Sequence, residues 1–390
     1  MTHPHMSRPG KLIPYSRPSV SSNELKQIRR VLRSGWLTTG PVVDEFERAF
    51  AAKVGAKYAV AFSSGTAALV GACAAAKLER NDRVLTSTLS FIASANCGRF
   101  FNAVVDLADV DNRTLNLTAD ELEQRLHKNT RIVVAVHYAG HPVDLQTVRR
   151  ICRRRNLVLI EDAAHALGAT YKTSTIGDCR YSDMCAFSFH PAKLITTAEG
   201  GMVTTNTPEF HQRLLTFRNH GMTRPGRLEP WEYDCCELSF NWRLSDIHCA
   251  IGLAQLERMD YFVARRREIA AYYNERFAGC PELITPVELA DCRHAYHLYV
   301  IRLREDKLKI NRRGLYDRLR DVNIVPQVHY RPIHLHSYYR RLGYAPGDFP
   351  QAEAAYRCML SLPMYPDLTN RQARFVADTL IRLIETNRRK

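Results

Sequence analysis

From Lys57 to about Asn206, short apolar and β-branched runs alternate with segments whose apolar positions recur every three or four residues. Runs near Ala59, Arg83, Val104, Ile132, Val158, Ala186 and Met202 predict strands, and the segments between them predict helices, which together describe an α/β sheet. Ahead of it, residues 14–50 predict an arm and a helix. Ser21-Ser22-Asn23-Glu24 is a capping sequence, and the loop from Ser34 to Pro41 breaks the helix. Leu244–Met259 and Tyr261–Phe277 predict helices that lead away from the sheet. Beyond Cys280, strand-like His297–Leu303, helix Arg312–Arg320, strand-like Ile324–Tyr330 and helix Arg371–Arg388 predict a smaller α/β unit. The expected organisation is an extension over 1–15, a large domain with its arm over 16–255, and linking helices plus a small domain over 256–390.

A chain of 390 residues with 45% hydrophobic content has ample material for buried cores. Apolar runs such as Ile132–Val136 and Leu157–Ile160 are far too short to span a bilayer, and the His- and Pro-containing start has no apolar signal core. A cytoplasmic protein without a membrane partner is expected. The 11 cysteines form no C-x-x-C pair, so reduced thiols are the default. His3, His5, His334 and His336 lack carboxylates or thiols at ligand spacing, and no metal is expected. The formal charge of +15 raises the question of nucleic acid. Its clusters, Arg149-Arg150, Arg153-Arg154-Arg155 and Arg265-Arg266-Arg267, sit on helical periodicity, where a solvated face is the usual reading, and no RNA motif or zinc finger accompanies them. No nucleic-acid partner is expected, though part of the excess suits a nucleotide diphosphate.

The chemistry concentrates at three strand ends. Ser188-Phe189-His190-Pro191-Ala192-Lys193 follows one strand and is closed by Glu199-Gly200-Gly201; Glu161-Asp162 ends another; Ser63-Ser64-Gly65-Thr66 lies between a strand and a helical run. A lysine, a preceding carboxylate and a helix start with free N–H groups suit pyridoxal 5'-phosphate, which needs an amine for its aldehyde, an acid partner for its pyridine nitrogen and a cradle for its phosphate. Ligands of such sheets gather outside the strand carboxyl ends, so one site can receive all three.

In this order and context the residues resemble the DegT/DnrJ/EryC1/StrS sugar aminotransferases, from Tyr15 onward. The resemblance implies a fold-type I transferase: a large domain with a mostly parallel seven-stranded sheet containing one antiparallel strand, and a smaller C-terminal α/β domain. It implies that Lys193 is the Schiff-base lysine and proton shuttle, where some family members that are dehydratases carry histidine. Asp162 would pair with the pyridine nitrogen, His165 would lie near the ring oxygen, and Phe91 would stack on the ring. Gly65, Thr66 and Ser188 would hold the phosphate, joined by Asn241 of a neighbouring subunit in a homodimer. Tyr15, Gly35, Trp36, Leu37, Thr38, His329, Tyr330, Arg331 and Pro332, with Gly65, Ser188 and Asn241, would face the substrate.

Each residue also has a plainer reading: Lys193 on the surface, Asp162 or Asn241 as a helix cap, His165 packing a helix, Phe91 in the core, and the others in ordinary turns or surface loops. The quoted stretches Lys193–Gly201 and Gln327–Pro332 look most like the family branch that aminates a UDP-linked 4-keto-6-deoxy-N-acetylhexosamine for pseudaminic acid synthesis, with L-glutamate as donor. Amination of a 4-amino-4-deoxyarabinose or perosamine precursor is the nearest alternative. A non-catalytic regulator or nucleic-acid binder on the same scaffold is the alternative of another class.

Overall fold

The computed structural model describes residues 11–226 and 229–389; His3 and His5 lie outside them. Its main sheet has seven strands: β1 (Tyr58–Phe62), β2 (Arg83–Ser87), β3 (Val104–Ala108), β4 (Thr130–Val136), β5 (Val158–Asp162), β6 (Met184–Ser188) and β7 (Gly201–Thr205). They lie in the order β1-β7-β6-β5-β4-β2-β3. β7 is antiparallel to both neighbours, and the other pairings are parallel. Continuous apolar runs such as Ile132-Val133-Val134-Ala135-Val136 form these strands because helices cover both faces and bury nearly every position of them. One face packs on Phe46, Phe50, Phe187 and Phe189, the other on the alanine-rich helix Gly65–Ala75.

The predicted arm holds two helices, Ser22–Ser34 and Pro41–Val54. Ser21 and Glu24 close a capping box on the first, Gly35 ends it in the left-handed region at φ 75°, and Pro41 starts the second. Further on, the helices Asp246–Glu257 and Met259–Phe277 lead to a three-stranded sheet of Leu283–Ile284, Tyr299–Leu303 and Met359–Leu362, backed by Arg312–Asp321 and Asn370–Thr386. A shared core of Leu89, Val105 and Tyr138 against Leu298, Val300 and Met359 joins this sheet to the main one.

Two expectations are corrected. Ile324–Tyr330 is not a strand; Met359–Leu362 pairs with Tyr299–Leu303 instead. Pro326 has no N–H to give a ladder, and the segment is held by isolated bridges, Ile13 to Ile324 and Gln327 to Ser361. Nor are the arginine clusters only a solvated face. Arg266 is fully buried and donates to the carbonyls of Tyr296, His297 and Met364, while Arg149 forks onto Asp183 at 2.7 and 2.9 Å. No helix among the described residues is long and apolar enough to cross a membrane.

Candidate active site

Strand register brings the predicted chemistry to one edge. Val136 is level with Asp162, Asp162 with Ala186, Ser188 with Gly201, and Gly201 with Phe62, the last residue before the Ser63–Thr66 turn. A cavity of about 290 Å³ opens there. Gly65, Thr66, Phe91, Asp162, His165, Ser188 and Lys193 all line it, together with Tyr15, His329 and Tyr330.

Lys193 sits in the connection between β6 and β7. Phe189 N–H donates to Gly200 O at 2.8 Å, Thr197 N–H to Phe189 O at 3.0 Å, and Lys193 N–H to His190 O at 2.8 Å, so the loop is closed on itself. The amine is buried, which pushes its pKa down from the ordinary 10.5 to about 8, partly offset by the charge of Asp162. That excludes the surface reading. At pH 7 about a tenth of this amine is unprotonated and nucleophilic, far more than for an ordinary lysine.

Asp162 ends β5, buried, with Oδ2 accepting from the Ser94 hydroxyl at 2.6 Å and Oδ1 from Ala164 N–H at 3.1 Å. No regular helix begins after it, so its cap role does not extend beyond this turn. Ser64 caps the helix Gly65–Ala75 by accepting from Ala67 N–H at 3.1 Å. That leaves the Gly65 and Thr66 N–H groups without a partner among the described residues, aimed with the helix dipole at an anion's position. A side chain at Gly65 would put Cβ 2.7 Å from Ser188 Cβ, so only glycine lets the turn close on Ser188. Free amine, buried carboxylate and open N–H cradle fit pyridoxal phosphate.

The facing wall carries neutral imidazoles. Burial lowers His165 and His297 well below their ordinary range and His329 to about 3. His165 and His297 stack at 4.5 Å, His165 Nε2 meets the Tyr330 hydroxyl at 2.9 Å, and His329 Nδ1 meets Ser361 at 2.8 Å. The Nδ1 atoms of His165 and His297 are buried without a partner among the described residues, which is how His165 differs from a merely packed histidine. Phe91 is 52% exposed and contacts Tyr330, so it is not a core residue.

Other expected residues are not brought to this cavity within one subunit. Gly35, Trp36, Leu37, Thr38, Asn241, Arg331 and Pro332 do not line it. Arg331 is exposed and donates to Leu335 O at 2.8 Å. Asn241 is no helix cap, since Ser245 caps Asp246–Glu257; it bridges to Asn219, and Thr38 bridges to Ser245. The sequence reading passed over Ser64, Ser90, Ser94 and His297. Ser64 carried a signal, an N-cap residue directly ahead of a helix; the others are ordinary residues until the fold places them.

A lysine that burial keeps partly unprotonated, a carboxylate and an anion cradle on the carboxyl edge of this sheet define a fold-type I pyridoxal phosphate-dependent transferase. The model of the DegT/DnrJ/EryC1/StrS aminotransferase family matches residues 18–381, and the chain belongs to that family. The spore coat polysaccharide biosynthesis protein SpsC of Bacillus subtilis is 39% identical over 365 residues, 92% of this chain and 93% of its own. Helicobacter pylori PseC, an aminotransferase involved in the biosynthesis of pseudoaminic acid, matches with a TM-score of 0.90 at 30% identity, covering 96% of this chain and 100% of that one. Spr1654 from Streptococcus pneumoniae in its PLP form matches with a TM-score of 0.90 at 27% identity, covering 96% and 99%. The protein is a sugar aminotransferase, its cofactor is pyridoxal 5'-phosphate, and the non-catalytic reading of the scaffold is set aside.

Proposed function

We propose that the protein moves an amino group from L-glutamate to the C4 keto carbon of a UDP-linked 4-keto-6-deoxy-N-acetylhexosamine, forming UDP-4-amino-4,6-dideoxy-N-acetyl-β-L-altrosamine for pseudaminic acid biosynthesis in the cytoplasm. The observation that carries this reading is the whole-chain likeness to PseC, at a TM-score of 0.90, in a chain that keeps the lysine.

When bound, the cofactor supplies an electron sink for the carbon that gains or loses the amine. Lys193 would hold it through the side-chain amine and, once free, would move the proton at the substrate carbon; its pKa of about 8 suits both taking and giving that proton. Asp162 would hold the proton on the pyridine nitrogen, Gly65, Thr66 and Ser188 would hold the phosphate, and Phe91 and His165, which also line the cavity, would hold the ring. Tyr15, His329 and Tyr330 line the cavity and would face the sugar, while Arg331 and Pro332, next in the chain, would suit a diphosphate or base.

Among the described residues Lys193 is the one lysine or arginine that lines the cavity, which supports a site completed by a second copy. The Thr38–Ser245 bridge and the Asp246 N–H bond to Leu37 O set the Gly35–Thr38 loop beside the Phe240–Asp246 segment, and Trp36, Leu37 and Phe240 are exposed there. We read this face as a homodimer contact that sends Asn241 and the loop into the neighbouring site. We keep as a proposal the division into a large domain over 16–255 and linking helices plus a small domain over 256–390.

A second reading rests on SpsC, whose 39% identity exceeds that of PseC and whose role is in spore coat polysaccharide biosynthesis. It changes only the sugar, to a 4-amino-4-deoxyarabinose, perosamine or related precursor. The deciding experiment offers glutamate with a panel of nucleotide-linked keto-sugars and identifies products by mass spectrometry and NMR. Amination of the UDP-linked N-acetylhexosamine at C4 is expected. Amination of a free 2-oxo acid, with no product from any UDP-linked keto-sugar, would overturn the reading.

A further inference from the structure

Ser94 is fully buried in the helix Ala93–Arg99, outside the cavity lining, and its hydroxyl has three neighbours. Asp162 Oδ2 lies at 2.6 Å, the Ser90 hydroxyl at 2.7 Å and the Phe91 carbonyl oxygen at 3.1 Å. The hydroxyl has one proton to give. An ionised carboxylate only accepts, so the proton goes to Asp162, the closest of the three, and Ser90 must donate to Ser94. Both hydroxyls therefore point one way, along a relay that ends on Asp162.

A plainer role is available, because buried helical serines often bond back to a carbonyl a turn earlier. That role needs only the 3.1 Å contact to Phe91. It does not call for a second buried hydroxyl behind the first, nor for a shorter bond to a carboxylate on another element.

We propose that Ser94, oriented by Ser90, is a positioning residue that fixes Asp162 Oδ2 and weakens that carboxylate's hold on a proton, so that the proton between Asp162 and the pyridine nitrogen stays on nitrogen. The second oxygen, already accepting from Ala164 N–H, keeps the carboxylate plane in place. With the Ser94 donor removed, negative charge on Asp162 loses a charge-assisted hydrogen bond, and the proton moves toward the carboxylate. The inference rests on Asp162 being the pyridine partner.

The test uses holoenzyme carrying cofactor labelled with ¹⁵N at the pyridine nitrogen, read by NMR. Ser94→Ala should move the resonance toward the unprotonated position and lower kcat on the order of tenfold. Ser94→Thr should restore both, and Ser90→Ala should move the resonance the same way by less. An unchanged resonance in Ser94→Ala overturns the relay; if that variant does not take up cofactor, an unchanged resonance in Ser90→Ala does so instead. Asp162→Asn, measured in parallel, separates the two claims. If it shifts the resonance while the serine variants do not, only the relay fails. If it does not, the pairing of Asp162 with the pyridine nitrogen fails.

Discussion

The two walls of the cavity are built in different ways. The wall with Lys193, Asp162 and Gly65 hangs on the ends of β1, β5 and β6, whose register is fixed by a central sheet buried on both faces. The wall with His329 and Tyr330 belongs to an irregular segment held by two isolated bridges, by the Tyr138 hydroxyl bonding to the His329 carbonyl, and by the Tyr330–His165 contact. The first is rigid because a register slip would expose a whole strand face. The second can vary without unfolding the sheet, which suits a family that keeps one cofactor and serves many sugars.

Breaking the cofactor wall should cost most. Lys193→Ala would remove both the proposed anchor and the proposed proton carrier, so overall turnover should fall roughly 10⁴-fold, with loss of the visible absorbance of lysine-linked cofactor. Wild-type turnover with that absorbance intact after dialysis would end the assignment. Asp162→Asn should bind cofactor yet slow both half-reactions on the order of a hundredfold, checked by single-turnover absorbance. Equal rates in mutant and wild type would reduce Asp162 to a turn residue.

The same wall makes a stability prediction with a definite sign. Burial depresses the Lys193 amine, so the folded apoprotein is penalised at pH values below about 8, and the penalty fades as pH rises toward the ordinary 10.5. Lys193→Met should therefore raise apoprotein stability by about 3 kcal/mol at pH 7, with the gain shrinking above pH 8 in denaturant titrations. Cofactor uptake by wild-type apoprotein should also accelerate through pH 8 as the amine loses its proton.

The facing wall should show smaller, one-sided effects. Mixed dimers of Lys193→Ala and Asn241→Ala subunits should regain part of the activity that each pure mutant lacks, because one of the two shared sites would be intact. Activity in a demonstrably monomeric sample would contradict shared sites. Arg331→Ala, at an exposed position already bonded to Leu335, should raise the keto-sugar KM by about threefold and leave the glutamate half-reaction unchanged. Equal losses in both half-reactions would place Arg331 in the cofactor machinery.

The legibility of the chain follows the same division. All seven main-sheet strands were visible because buried strands are written as apolar β-branched runs, and their carboxyl ends gave the lysine, the aspartate and the cradle. Ile324–Tyr330 looked like a strand because it is apolar, but Pro326 and long-range bridges decide its shape. Met359–Leu362 was missed since a four-residue stretch directly after a helix, three apolar positions and a serine, is too short to show a period of its own. Ser94 and His297 gain their roles only from packing across elements distant in sequence, which no local pattern encodes.

The most direct measurement is borohydride reduction of the holoenzyme followed by peptide mapping, with and without prior addition of glutamate. Without glutamate, the cofactor mass should appear on the peptide containing Lys193 and on no other. With glutamate in excess it should disappear, because the amino form of the cofactor no longer needs the lysine. Cofactor mass on another lysine, or a Lys193 adduct unaffected by the donor, would contradict the assignment of Lys193 as the centre of amino transfer.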